Sequence, residues 1–213
     1  MSGLKYLCSV GAVSAAMLAA PGVARPALAN PLHAPTADFI LDVEVTRDID
    51  HALKAPARYV SVGRRFRVDY NGLATLYDIS RKTYEVMIPR VRMAAKAQRL
   101  DGAVIDNRRW IGVEARTAEP AGTTTMLGRQ VMKYRVTGAM FESRVPFEGE
   151  VWTTAENIVV KVEGVSKVGR DAPTRIEVTA IQIAVGNIDD SLVLVPKNFV
   201  RAKPKDVYTA DDK

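Results

Sequence analysis

Residues 65–88 constrain the fold of this chain more tightly than any other stretch. Phe66, Val68 and Tyr70 alternate with Arg65, Arg67 and Asp69, and Asn71 and Gly72 follow at once. Alternation with a period of two places apolar side chains on one face of an extended chain and charged ones on the other. Asn-Gly is the dipeptide that closes a two-residue hairpin, because both of its residues tolerate positive φ. Leu73 to Ile79 and Lys82 to Ile88, separated by Ser80 and Arg81, then supply two further strands. A consecutive antiparallel sheet is therefore the first expectation.

The same pattern recurs elsewhere. Phe39, Leu41, Val43 and Val45 alternate with Ile40, Asp42, Glu44 and Thr46, and further strands are expected at Trp110 to Thr117, Arg129 to Thr137, Glu150 to Thr154, Ile158 to Glu163 and Arg175 to Val185. Two helical signals interrupt them. Pro89 suits a first helical turn, and Met93, Ala94, Ala97 and Leu100 lead to a stop at Asp101 and Gly102. A weaker turn is expected from Asp48 to Lys54, with Ile49 and Leu53 on one face before Pro56. Many short strands with one or two helices imply a mainly β (α+β) domain built on a curved antiparallel sheet.

The N-terminus reads as an export signal. Lys5 precedes an apolar stretch from Leu7 to Ala20 without an acidic residue, then come Pro21, Gly22 and the small-residue run Ala27, Leu28, Ala29. That stretch is shorter than the roughly 20 residues of a membrane-spanning helix. Cleavage after Ala29 gives residues 1–29 as signal peptide, 30–37 as an extended proline-containing leader, 38–200 as one domain and 201–213 as a polar tail. The expected location is the periplasm, with no transmembrane segment after cleavage. Cleavage also removes Cys8, the sole cysteine, so no disulfide is expected. It takes Lys5 and Arg25 with it and no acid, lowering the formal charge from +6 to +4. This mild surplus is that of a solvated surface, with weak attraction for anionic partners.

Chemistry-bearing residues are sparse. His33 lies in the leader and His51 in a turn, with no second histidine at ligand spacing, so no metal site is expected. Asp48 with Asp50 and Asp189 with Asp190 suit turns, and no calcium-loop or phosphate-cradling pattern is present. The expectation is a non-enzymatic protein with no catalytic residue, no cofactor and no nucleic-acid partner. Arg64, Arg65 and Arg67, with Arg90 and Arg92 beyond them, could meet a phosphate or a lipid headgroup, although the first cluster also fits the solvated face of a strand.

Glu150, Val151, Trp152, Thr153 and Thr154, the run Val162, Glu163, Gly164, the strand from Arg175 to Val185, and Asp190, Ser191, Leu192 with Val195, Pro196 and Phe199 succeed each other in an order that resembles the LolA/LolB-like superfamily of periplasmic outer-membrane lipoprotein carriers. Gly63 to Val68, Met132 to Val136, and the strand from Asp78 into Pro89 resemble it too. The resemblance implies an unclosed β half-barrel whose concave face is covered by one or more short helices. Between sheet and helices such proteins hold an apolar cavity. Two departures stand out: the leader is too short for the carriers' N-terminal helix, and Val193 stands where an aromatic is expected.

Two readings of function follow. In the first, the chain is a periplasmic binding or carrier protein for a lipid or other apolar ligand, with Tyr70, Tyr84, Val86, Met93, Tyr134 and Trp152 in the cavity wall. In the second it is a non-catalytic cell-envelope module with a filled core, meeting a protein partner through edge strands or its basic face.

Overall fold

The computed structural model describes residues 32–49, 51–99, 113–140, 146–166 and 173–204. The expected signal peptide, Trp110 and the segment from Leu100 to Gly102 lie outside them. The first strands are long, β1 (Phe39–Ile49) and β2 (His51–Val62). Three six-residue strands follow, β3 (Arg65–Tyr70), β4 (Leu73–Asp78) and β5 (Thr83–Ile88), then the short β6 (Met93–Ala95) and β7 (Gln98–Arg99). The second half comprises β8 (Val113–Met126), β9 (Arg129–Met140), β10 (Pro146–Thr153), β11 (Val159–Ser166), β12 (Thr174–Val185) and β13 (Val200–Ala202).

All belong to one 13-stranded sheet, ordered β13-β6-β5-β4-β3-β2-β1-β12-β11-β10-β9-β8, with β7 beside β5. Strand β1 joins the two halves, pairing antiparallel with both β2 and β12. The ends of the order, β13 and β8, do not pair with each other, so the sheet is unclosed. Asn71 and Gly72 both have positive φ, 51° and 78°, and close the β3–β4 hairpin as their dipeptide dictates.

Directly opposed residues of antiparallel strands share a face, so the ladder sorts the side chains. The inner face carries Phe39, Leu41 and Val43 from β1, each at most 1% exposed, together with Val178 of β12, Val162 of β11, Val151 of β10 and Val136 of β9. These form one apolar cluster that also takes in Ala118 of β8 and Leu32 of the leader. Side chains on one face of a single sheet bury one another only when the sheet curls. Each fully buried Val or Leu contributes about 1.5–3 kcal/mol.

Tight closure on this face needs two glycines. Gly149 opposes Gly164 across β10 and β11, and the ring of Phe147, 2% exposed, occupies the space where their side chains would stand.

The outer face is divided. Over β8 to β12 it is a lattice of charged side chains. Over β2 to β6 it is apolar, with Val60, Val62, Ala74, Leu76, Met87 and Ala94 covered by the C-terminal strap through Ile188, Leu192, Val193, Val195 and Phe199. The strap contains a 3-10 turn, Asp190–Val193, capped by the Asp189 carboxylate accepting from the Ser191 N–H at 2.8 Å. It ends by laying β13 parallel to β6, an arrangement secured by an ion pair between Arg201 and Glu85. Arg201 and Ala202 thus belong to the sheet, not to the tail.

Two sequence expectations need correction. The helix expected from Pro89 is a single 3-10 turn, Pro89–Val91, which ends at Arg92 in the left-handed conformation (φ 52°). Met93 to Ala95 then pair with β5 on one side and β13 on the other. The helical spacing of Met93, Ala94 and Ala97 is outweighed by this two-sided pairing, which buries Ala94 and Ala95 completely. Where a helical turn is expected at Asp48 to Lys54, the described residues pair in the β1–β2 ladder, with Ile49 opposite His51. Among the described residues, the helical elements are the two 3-10 turns Pro89–Val91 and Asp190–Val193, neither of which lies over the inner face.

Candidate functional site

A step in strand length creates a hollow at the β2–β3 edge. β1 and β2 continue their mutual pairing to Ile49 and His51, but the last β2–β3 pair is Ala57 with Tyr70, where β3 turns into β4. Beyond that point β2 has no further partner on this side among the described residues, and Pro56, which lacks an N–H to donate, stands at this edge. On the other side, β12 carries an extra residue: Asp42 opposes Gln182 and Val43 opposes Ala180, leaving Ile181 as a bulge. Bulges bend and twist a strand locally. The result is a notch of about 710 Å³. Its apolar lining comes from Val43, Pro56, Ala57, Tyr70, Leu73 and Ile181, and the turn after β5 adds Pro89 and Arg90. Ile181 is 61% exposed and Tyr70 37%, high values for apolar side chains of a sheet.

From the notch an apolar lane runs along the inner face of β3, β4 and β5. Tyr70 opposes Leu73, Val68 opposes Thr75 and Thr75 opposes Val86, and Phe66 opposes Tyr77, which opposes Tyr84. Four residues of strand span about 14 Å. At the far end the rings stack, Phe66 on Tyr77 at 4.4 Å and Tyr77 on Tyr84 at 6.3 Å, and the Tyr84 hydroxyl donates to Gln98 Oε1 at 3.0 Å. Leu73 links the two regions, lining the notch while packing with Tyr84 and Met93 against the buried Val86, Ile88 and Ala95.

The sequence-named wall residues divide accordingly. Tyr70 lines the notch. Tyr84, Val86 and Met93 gather beside it on the same face. Tyr134 shares that face but lies across the sheet on β9, opposite Val151. Trp152 follows Val151 and so points to the outer face, where it opposes Lys133 and Lys161. Their ammonium groups lie 5.2 and 5.0 Å from its ring centroid, a cation–π sandwich that leaves it 7% exposed. Pro56, Ala57, Arg58 and Ile181 have no counterpart in the sequence reading. The signal that could have found them is the six-residue limit that Asn71 and Gly72 set on β3 beside the longer alternation of β1.

Charges at the notch are organised in pairs. Arg58 donates to both oxygens of Asp42, from Nε at 2.6 Å and from Nη2 at 2.9 Å, and this hydrogen-bonded pairing raises the guanidinium pKa. Arg67 Nε donates to Asp69 at 2.6 Å, and Arg67 Nη1 reaches the Leu192 carbonyl of the strap at 3.4 Å. On the outer face Lys161 bridges Glu163 at 3.0 Å and Glu177 at 3.6 Å, while Arg175 meets Glu163 at 2.7 Å. Hydrogen bonding from Lys161 holds the Glu163 carboxyl below the usual range, against a smaller opposing effect of burial. Among the described residues no group of three or more His, Cys, Asp or Glu is placed to hold a metal ion. The arrangement suits apolar contact with charge at the mouth.

No protein-family model and no curated protein matches the chain. In structure it is similar to an uncharacterized conserved protein from Thermus thermophilus, with 10% identity and a TM-score of 0.48, covering 78% of this chain and 91% of that one. It is also similar to a LolA superfamily protein from Nitrosomonas europaea, with 10% identity and a TM-score of 0.39, covering 76% and 92% respectively. An outer membrane lipoprotein-sorting protein domain from Vibrio parahaemolyticus aligns at 8% identity and a TM-score of 0.33, over 73% of this chain and 88% of that domain.

Proposed function

We propose that this chain is a periplasmic binding or carrier protein for a lipid or other apolar ligand, seated in the notch and along the lane that leads from it. One observation carries the reading: an apolar hollow of about 710 Å³ opens through half-exposed Tyr70 and Leu73 onto a continuous apolar strip of the inner face. Ligand sites have volumes of about 300–1,000 Å³ and are lined mainly by apolar and aromatic side chains with a few polar groups. The export signal read in residues 1–29 supplies the location.

The test is to express the chain with its own signal, purify the exported protein, and measure copurifying lipid by native and lipid mass spectrometry. Stoichiometric lipid that is lost on Leu73→Asp exchange and retained on Trp152→Ala exchange supports the reading. A stable protein free of lipid, which also fails to take up added lipid, refutes it.

The second reading, a non-catalytic envelope module, is favoured by the terminal strand β8. Residues 119–125 of this strand are exposed, and its ladder with β9 is interrupted by irregularities between Ala115 and Thr117 and between Pro120 and Thr123. Binding of an extended peptide along Thr123 to Met126, where the register is regular, would support it.

A further inference from the structure

The two ends of the sheet carry different charge. At the β13 end, Arg92 and Lys96 flank β6, Lys197 lies in the turn from Pro196 to Phe199 that leads into β13, and Lys203 follows β13. The Val200 N–H donates to the Arg92 carbonyl and the Lys96 N–H to the Ala202 carbonyl. Arg92 and the Lys197 turn therefore stand at one end of this short ladder, and Lys96 and Lys203 at the other, about 13 Å of extended chain away. All four side chains are exposed, and none is in an ion pair among the described residues. Glu85 on the neighbouring β5 is engaged by Arg201. Val91 and Val200, 38% and 65% exposed, flank Arg92 on the same edge. Charge on a terminal strand guards it against pairing with another chain, but either sign does that. The opposite terminal strand, β8, carries one of each, Arg116 and Glu119, both exposed. A single uncompensated sign at the β13 end selects instead for a polyanion. Cations on flexible stems with no carboxylate to orient them suit a fluid array of phosphates better than one fixed oxyanion, for which a held guanidinium is the better device.

We propose that the β6–β13 end of the sheet is a docking surface for an anionic membrane, with Arg92, Lys96, Lys197 and Lys203 against the lipid phosphates. Val91 and Val200 add apolar contact at the level of the headgroups, the combination by which surface-bound elements hold to a bilayer. Pro89 lines the notch three residues before Arg92, so docking brings the mouth of the notch to the bilayer. The surface does not depend on the apolar-ligand reading: a protein that carries nothing can still dock, and a carrier can lack the surface.

The test is cosedimentation of the full exported protein with vesicles of phosphatidylcholine, alone or mixed with phosphatidylglycerol. Binding is expected to the mixed vesicles and to weaken as salt screens the charges. Each Lys or Arg near an anionic surface strengthens binding about fivefold. Lys197→Gln/Lys203→Gln, which removes two exposed cations, should therefore weaken binding about 25-fold. Arg116→Gln/Arg135→Gln removes the same charge from β8 and β9 and should leave binding within about twofold, since those groups stay more than a screening length from the bilayer. A second readout locates the contact. Cleavage after Ala29 leaves no cysteine, so a polarity-sensitive dye can be placed at Val200→Cys or, on β11, at the 45% exposed Val165→Cys. Its emission should shift to shorter wavelength on the mixed vesicles in Val200→Cys and stay unchanged in Val165→Cys. Equal binding of both vesicle types, equal loss in the two double variants, or equal shifts at the two dye positions overturns the proposal. So does failure to bind either vesicle. None of these outcomes bears on lipid carriage, which copurification tests.

Discussion

Exchange of Gly149 for alanine tests the packing of the sheet at its tightest point. An added Cβ at Gly149 would stand 2.2 Å from the Glu163 carbonyl oxygen, 2.6 Å from the Gly164 Cα and 2.9 Å from Phe147 Cζ. Carbon–oxygen approaches between neighbouring strands are about 3.3–3.6 Å, so β10 and β11 must separate by on the order of 1 Å or shear. Overpacking of a rigid core costs about 1–3 kcal/mol. Because two of the three nearest atoms are backbone, the upper end, about 3 kcal/mol, is expected. At about 2–4 °C per kcal/mol for a chain of this size, the melting temperature falls by about 6–12 °C. At Gly164 two of the three nearest atoms belong instead to the Phe147 ring, at 2.6 and 2.7 Å. Phe147→Leu should therefore relieve Gly164→Ala more than Gly149→Ala, with a coupling of about 0.5–3 kcal/mol in a double-mutant cycle. Urea unfolding of the single and double variants and the wild type measures both quantities. A Gly149→Ala protein within about 0.5 kcal/mol of wild type, the ordinary scale of surface substitutions, would refute the close approach of the two strands.

Three further outcomes are expected. Val193→Asp places a charge beneath the strap at a position 4% exposed; the strap should detach, seen as accelerated hydrogen exchange in β6 and binding of an apolar dye to the uncovered Val60, Leu76 and Met87. Exchanging Lys133 and Lys161 together for serine opens both sides of the Trp152 ring, and its fluorescence should shift to longer wavelength; an unchanged spectrum would contradict the sandwich. Glu163 has its folded-state pKa lowered, chiefly by the hydrogen bond from Lys161, so its contribution is present above the ordinary carboxylate value and is lost as the pH falls through the lowered one. Stability measured between pH 7 and pH 3 should therefore decline less steeply in Glu163→Gln. The difference should be no more than about 1 kcal/mol for so accessible a pair.

The sheet is legible in the sequence wherever alternation is clean. Strands β1, β3, β4 and β5 follow from Phe39 to Thr46 and from Arg65 to Ile88, and the Asn71–Gly72 hairpin from its dipeptide alone. Strand β2 is not legible, because the alanines and Pro56 between His51 and Val62 carry no period-two signal; it is held extended by its pairing along the whole of β1. Strand β6 reads as helix because three residues cannot reveal a period, and what holds them extended is β13, more than a hundred residues later. The shared face of Tyr84 and Val86 is legible, since alternation fixes it, whereas Met93 joins them only through the pairing of β6 with β5. Apolar character groups Trp152 with Tyr134, whereas the ladder puts it on the other side, where methylene stems and ammonium groups of lysines shield it. Of the notch, only the unequal strand lengths leave a trace in the sequence, in the limit that Asn71 and Gly72 set on β3; the bulge at Ile181 leaves none.

The position of β1 also has a bearing on the order of events during synthesis. It is the first of the described strands to be made, yet it completes its ladder only with β12, Phe39 opposite Val185. At about 5–20 residues per second, roughly ten seconds separate the emergence of the two from the ribosome. Until then the β1–β2 hairpin lacks the neighbour that buries its apolar face, and the central junction of the sheet does not exist. Chains dominated by such distant pairings fold in about milliseconds to seconds once complete. The topology therefore delays completion of the central junction of the sheet until β12 has been made.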